Sequence, residues 1–190
     1  KGDKVARVEC ADTHKHVRWL YDDLDKYEIW VLNQLNVQFP EIVDKADRWF
    51  QIHHEDRLLE GNHNTIDWLK EDHDFPIYMN ERYVDDYPSA IAFPKDELLD
   101  EFGRYFSSQI AWMMAFAIHE GFQETHLFAV HMAVDEEYHL QKNGVEYYIG
   151  LARGKGIKVF IPPSCELLKT TFLYGFDDPT PLYLKIMLDI

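Results

Sequence analysis

Residues 105–132 read YFSSQIAWMMAFAIHEGFQETHLFAVHM, and their pattern decides the fold. From 105 to 120 apolar side chains occupy most of the helical circumference, as expected of a helix buried on nearly all sides. Gly121 stops that helix. Residues 126–132 (HLFAVHM) then read as a buried strand closed by His131.

The same alternation runs outward in both directions. Residues 5–10, 28–32 (EIWVL), 48–52 (RWFQI), 75–79 (FPIYM), 90–93 and 157–161 (IKVFI) read as further strands. Pro76 marks its strand as an edge or a strand start. Helices are predicted at 40–46, opened by Pro40, at 65–71 with Thr65 as a cap, at 94–102 and at 145–154. Residues 13–24 read as a weak helix or an irregular connection. Strands separated by helices imply right-handed crossovers. The expected class is α/β: a Rossmann-like three-layer sandwich around a mostly parallel sheet of about six to seven strands. Residues 1–168 form that domain. Residues 169–190, apolar with a Pro-rich middle, are expected to be an arm that packs on the domain or on a partner.

Composition narrows the function. Of 190 residues, 46% are hydrophobic and 15% aromatic, enough for a full core. The formal charge of −15 repels phosphate backbones, and no basic stripe offsets it, so duplex nucleic acid is disfavoured. No apolar run reaches the roughly 18 residues of a membrane span. Lys1-Gly2-Asp3-Lys4 has no signal-peptide character. Cys10 and Cys165 stand far apart, outside any Cys-x-x-Cys motif, which favours free thiols and a cytoplasmic setting.

Ligands of open parallel sheets sit outside the carboxyl ends of the strands. That rule selects Asp12, Asn33, His53 and His131. Asn33, with Gln34 beside it, can read a base or sugar edge, or simply close a turn. Ser107 and Ser108 at the start of the long helix can seat an anion, or simply cap the helix. His131 precedes Asp135-Glu136-Glu137-Tyr138-His139. This is a general acid–base pair or a seat for a divalent cation beside a phosphate, or else a solvated charged loop. The first turn, Cys10-Ala11-Asp12-Thr13-His14, lacks the glycines of a dinucleotide fingerprint or a P-loop. The histidines at 14, 16, 53, 54, 63, 73, 119 and 126 fit no zinc spacing, and no metal ligand is assigned. No Gly-x-Ser-x-Gly elbow is present.

Two stretches together carry a resemblance: residues 105–122 running into 126–132, and Ile29-Trp30-Val31-Leu32-Asn33-Gln34. With residues 145–154 and 156–162 they resemble a Rossmann-like group that includes the family 42 sialyltransferases and the hydroxymethylpterin pyrophosphokinase-like proteins. Many phage-encoded proteins are similar, which implies the cytoplasm of a host. In the sialyltransferases a Gly-rich loop after strand one, an Asn ending strand two and a hydroxyl at the long helix start hold a cytidine nucleotide. Carried over, Asn33 matches the strand-two Asn, Ser107 or Ser108 the helix-start hydroxyl, and His53 the polar residue ending strand three; together with the strand-end and charged-loop readings this gives a candidate ligand site of Asp12, Thr13, Asn33, Gln34, His53, Ser107, Ser108 and Tyr138, with His131 and Glu137 as candidate catalytic groups. His131 stands where an Asp is usual, and Cys10–His14 replaces the Gly-rich loop, so sialyl transfer is not implied. What the resemblance implies is a nucleotide or nucleotide-sugar binding transferase, with a divalent cation as its candidate cofactor. The alternatives are a non-catalytic protein that sequesters a nucleotide, and an assembly protein that forms homo-oligomers through its arm.

Overall fold

The computed structural model describes residues 5–9, 26–53, 63–128, 130, 132, 140–170 and 172–177. Its centre is a sheet of seven strands: β1 (Val5–Glu9), β2 (Glu28–Leu32), β3 (Arg48–Gln51), β4 (Ile77–Met79), β5 (Ala90–Ala92), β6 (Glu124–Phe128) and β7 (Lys158–Phe160). Their order across the sheet is β5-β4-β3-β2-β1-β6-β7, and every neighbouring pair is parallel. From β1 the chain steps outward through β2 to β5, then returns to lay β6 on the other side of β1. Such a reversal opens a crevice at the carboxyl edge of the sheet.

The helices are α1 (Leu35–Gln38), α2 (His63–Leu69), α3 (Lys95–Phe102), α4 (Gln109–His119) and α5 (Lys142–Gly154), with 3₁₀ turns at Pro40–Lys45 and Glu81–Asp86. Side chains of a strand alternate between faces, and the two cores divide accordingly. Trp30, Leu32, Phe50 and Tyr78 join α4, α5 and Phe93 in one cluster. Ile29, Val31, Trp49, Ile77 and Met79 join Leu35, Ile42 and Leu69 in the other. Both faces of the sheet are therefore buried, as parallel sheets require. Eight of the eleven residues of α4 are buried, and this helix is the spine of the first core. Among the described residues no helix is long and apolar enough to cross a membrane.

Several local expectations are corrected. β6 spans Glu124–Phe128, so the strand expected over 126–132 starts two residues earlier and is over before Val130. The long helix starts at Gln109, because Ser108 is extended (φ −159°, ψ 164°) and serves as its N-cap. Thr65 is no cap: it lies inside α2, which begins two residues before it. Pro76 precedes β4, an interior strand, so it marks a strand start and not an edge. The one-turn helix α1, directly after β2, had no sequence signal.

Candidate functional site

β2 ends at Leu32, and the next residue, Asn33, turns the chain with φ 55°. That left-handed conformation is one an Asn tolerates better than most side chains. Asn33 N donates to Phe50 O at 3.1 Å, and Trp49 Nε1 donates to Asn33 O at 3.2 Å. The residue is therefore clamped between the ends of β2 and β3. Gln109, the first residue of α4, sends its Nε2 to the same Phe50 carbonyl at 2.8 Å. One strand carbonyl thus draws Asn33 and Gln109 together at the carboxyl edge. The side-chain oxygens of both, Asn33 Oδ1 and Gln109 Oε1, are buried and have no hydrogen-bond partner. An orphaned buried acceptor costs about 1–3 kcal/mol, which a ligand bringing N–H or O–H donors would recover.

Ser107 and Ser108 directly precede Gln109 in sequence, and both hydroxyls already have protein partners. Ser108 Oγ accepts Ala111 N at 3.2 Å. Ser107 Oγ donates to Gln141 O at 2.9 Å and accepts Gly144 N at 3.1 Å, tying the start of α4 to the start of α5. A cap of this kind still leaves the positive end of the helix dipole at the carboxyl edge. Gln34 is half-buried in the turn before α1 and makes no side-chain cap. His53 is half-buried in the bend beyond β3. Asp12, Thr13, His131, Glu137 and Tyr138 lie outside the described residues.

A pocket of about 440 Å³ opens at the carboxyl ends of β3, β4 and β5; neither Asn33 nor Gln109 lines it. It is lined by Ile52 beyond β3, Asn80 and Glu81 beyond β4, Ala92 and Phe93 at the end of β5, the α3 start, and Trp112. Trp112 lies one turn after Gln109 on α4, hence on the same helix face. Sequence reasoning missed Gln109, Trp112 and Asn80. Asn80 follows an apolar strand just as Asn33 does, so the rule that found one would have found the other. Gln109 and Trp112 carried no signal beyond their place in the long helix.

Two of the described histidines are paired with carboxylates away from this edge. His119 Nδ1 meets Glu101 Oε2 at 2.7 Å, and His126 Nε2 meets Glu124 Oε1 at 2.6 Å. Among the described residues no group of three or more His, Cys, Asp or Glu could hold a metal ion.

No family model matches the sequence, and no curated protein does. A solved structure does: the sialyltransferase CstII from Campylobacter jejuni in complex with a substrate analogue, cytidine-5′-monophosphate. The match has a TM-score of 0.52 and 15% identity, and it covers 99% of this chain and 100% of that one. The chain shares its fold with a sialyltransferase. At that identity the likeness concerns the fold, and the chemistry rests on this chain's own residues.

Proposed function

We propose that the chain binds a nucleotide or nucleotide sugar at the carboxyl edge of β2 and β3 and acts as a glycosyltransferase-like transferase. The observation that carries this reading is the amide pair: two buried acceptors, Asn33 Oδ1 and Gln109 Oε1, held without partners outside the carboxyl ends of β2 and β3, on the edge of the sheet where such folds bind ligands and one strand from the β1/β6 reversal. The sialyltransferase of the same fold, held in complex with cytidine-5′-monophosphate, supports it.

Asn33 and Gln109 read the base or ribose through its donors, with Gln34 and His53 at the rim. The start of α4 at Ser107 and Ser108 faces the phosphate, together with Asp12, Thr13 and Tyr138. An acceptor hydroxyl bonds to the transferred group as that group's bond to the nucleotide phosphate breaks. His131 takes the hydroxyl proton, and the nucleotide leaves with the electron pair. Glu137 orients His131 or holds a divalent cation.

The test is a thermal-shift panel of CMP, CDP, UMP, UDP, AMP and GDP, with and without Mg²⁺. Ligand at about 100 times its dissociation constant adds roughly 2.7 kcal/mol. For a chain of this size that is a rise of about 5–10 °C. Asn33→Gly, which keeps the left-handed turn and deletes the amide, and Gln109→Ala should each weaken binding about tenfold. A flat panel, or unchanged affinity in both variants, removes the assignment. Incubation with the matching nucleotide sugar then separates a transferase from a protein that returns its ligand intact.

A second reading, an assembly protein, is favoured by one feature. Leu173, Tyr174 and Phe176 are 58%, 91% and 90% exposed in the C-terminal arm, and contiguous exposed apolar side chains mark interaction surfaces. It predicts a flat nucleotide panel and an oligomer that becomes monomeric when residues 170–190 are removed.

A further inference from the structure

The pocket at the carboxyl ends of β3, β4 and β5 has a chemistry of its own. Its volume, about 440 Å³, lies within the roughly 300–1,000 Å³ of small-molecule sites. It opens at the carboxyl ends of β3, β4 and β5, to the side of the crevice assigned to the nucleotide. One wall is apolar and rigid. The Trp112 indole is stacked on Phe106, with ring centres 3.5 Å apart and planes 2° apart, and meets Phe93 edge-on at 5.7 Å. Ile52 and Pro94 extend that wall. A fixed aromatic surface costs little ordering on binding.

The rest of the lining consists mainly of acceptors. Glu81, Asp96 and Glu97 are its acidic lining residues, and Lys95, the one lysine among them, pairs with Asp96 at 3.2 Å. Asn80 Oδ1 takes Arg82 Nε at 3.4 Å. Lys95, the Arg82 guanidinium on Asn80 and about half a positive charge from the first turn of α3 together stay below the three acidic residues around them. An anion entering here meets net negative charge locally, in a chain of net charge −15. Ionised carboxylates only accept hydrogen bonds, so an occupant has to supply donors. A hydroxylated ring meets both demands, with an apolar face for the indole and hydroxyls for the carboxylates. An amine on the ring adds attraction.

We infer that this pocket binds a sugar or amino sugar bearing no negative charge. If the proposed function holds, it is the acceptor subsite; the binding itself requires no nucleotide.

Three probes share one ring and differ in charge: glucosamine, glucose and glucuronate. The protein is labelled with 5-fluorotryptophan, and fluorine NMR follows its five tryptophans during titration with each probe, without nucleotide. Trp112→Phe serves only to assign the Trp112 resonance. That resonance should move with glucosamine, less with glucose and not with glucuronate, while the buried Trp30 and Trp49 stay still. Glu81→Gln with Glu97→Gln should erase the preference for glucosamine over glucose, at least threefold in affinity, and keep the glucose response. A Trp112 resonance unmoved by all three probes overturns the site. A glucuronate response equal to that of glucosamine overturns its charge selectivity. A repeat with CMP separates the two proposals: CMP that binds with no sugar response sinks only the subsite, and sugar response without CMP binding sinks only the nucleotide reading.

Discussion

Arg48, which opens β3, and Asn33, which follows β2, stand at opposite edges of this pair of neighbouring strands and show what a polar residue does at each. Arg48 opens β3 at the amino edge. Its Nε lies 2.8 Å from Glu28 Oε2 and its Nη1 2.8 Å from Glu120 Oε2, and its guanidinium sits 4.9 Å from the Trp30 ring centre. Burial alone would depress its basicity. The Tyr78 phenol and the carboxylates of Glu28 and Glu120 more than offset that and hold it above its ordinary value. These charges satisfy one another, so the cluster is structural, whereas Asn33 leaves an acceptor open. Removing the arginine alone strands two half-buried carboxylates. Loss of one partner of a buried pair costs about 3–5 kcal/mol, and the exposure of Glu28 and Glu120 (33% and 23%) brings the expectation for Arg48→Ala to about 2–3 kcal/mol. Adding Glu28→Gln and Glu120→Gln should recover part of that loss. Urea unfolding would read both, and an Arg48→Ala loss below about 0.5 kcal/mol would show the cluster to be idle.

The start of α4 depends on another element, α5. Gly144 lies where a Cβ would collide with Ser107 Oγ, the atom that joins the two helices. Gly144→Ala must therefore push Ser107 away and shift the first turn of α4, which holds Gln109. Overpacking of this kind costs about 1–3 kcal/mol. The melting temperature should fall by about 3–10 °C, and Ser107→Ala in the same chain should restore part of it by removing the obstructing hydroxyl. A double variant no more stable than Gly144→Ala would place the cost elsewhere. This clasp was invisible in the sequence, because it pairs residues 37 apart. The elements themselves were legible wherever a single period dominated. EIWVL alternates between two cores and became β2 with the bounds expected, and the apolar circumference of 109–119 became the buried spine. Ends were less legible: HLFAVHM stays apolar to Met132, yet ladder pairing stops at Phe128. For the site, the strand-end rule located Asn33, but its partner Gln109 became visible only through the Phe50 carbonyl that both share.

At the scale of the whole molecule, the core around α4 and α5 holds groups whose ionisation the fold opposes. Burial pushes the Cys165 thiol above its ordinary value of 9.0, and its Sγ donates to Val130 O at 2.6 Å. Burial, and then the neighbouring Tyr147, push Tyr148 well above the ordinary phenol range, and burial raises Tyr78 despite Arg48. In the unfolded chain all three ionise at ordinary values, so above about pH 9 the unfolded state binds fewer protons than the folded one. The derivative of unfolding free energy with pH is then negative. Stability is full below pH 9 as far as these groups are concerned, and it falls as pH rises toward their folded values. Thermal melts between pH 7 and 10.5 should be level at first and then decline, in two ranges. Cys165→Ala should make the stretch between about pH 9 and 10 shallower, since of these three groups the thiol has the lowest ordinary value, and leave the steeper fall above 10 to which the tyrosines contribute. A parent protein whose stability rises through this range would contradict the buried, neutral state of all three. A Cys165→Ala profile parallel to the parent would show that the thiol ionises in the fold as readily as in water, and that this core admits solvent at its α5 side.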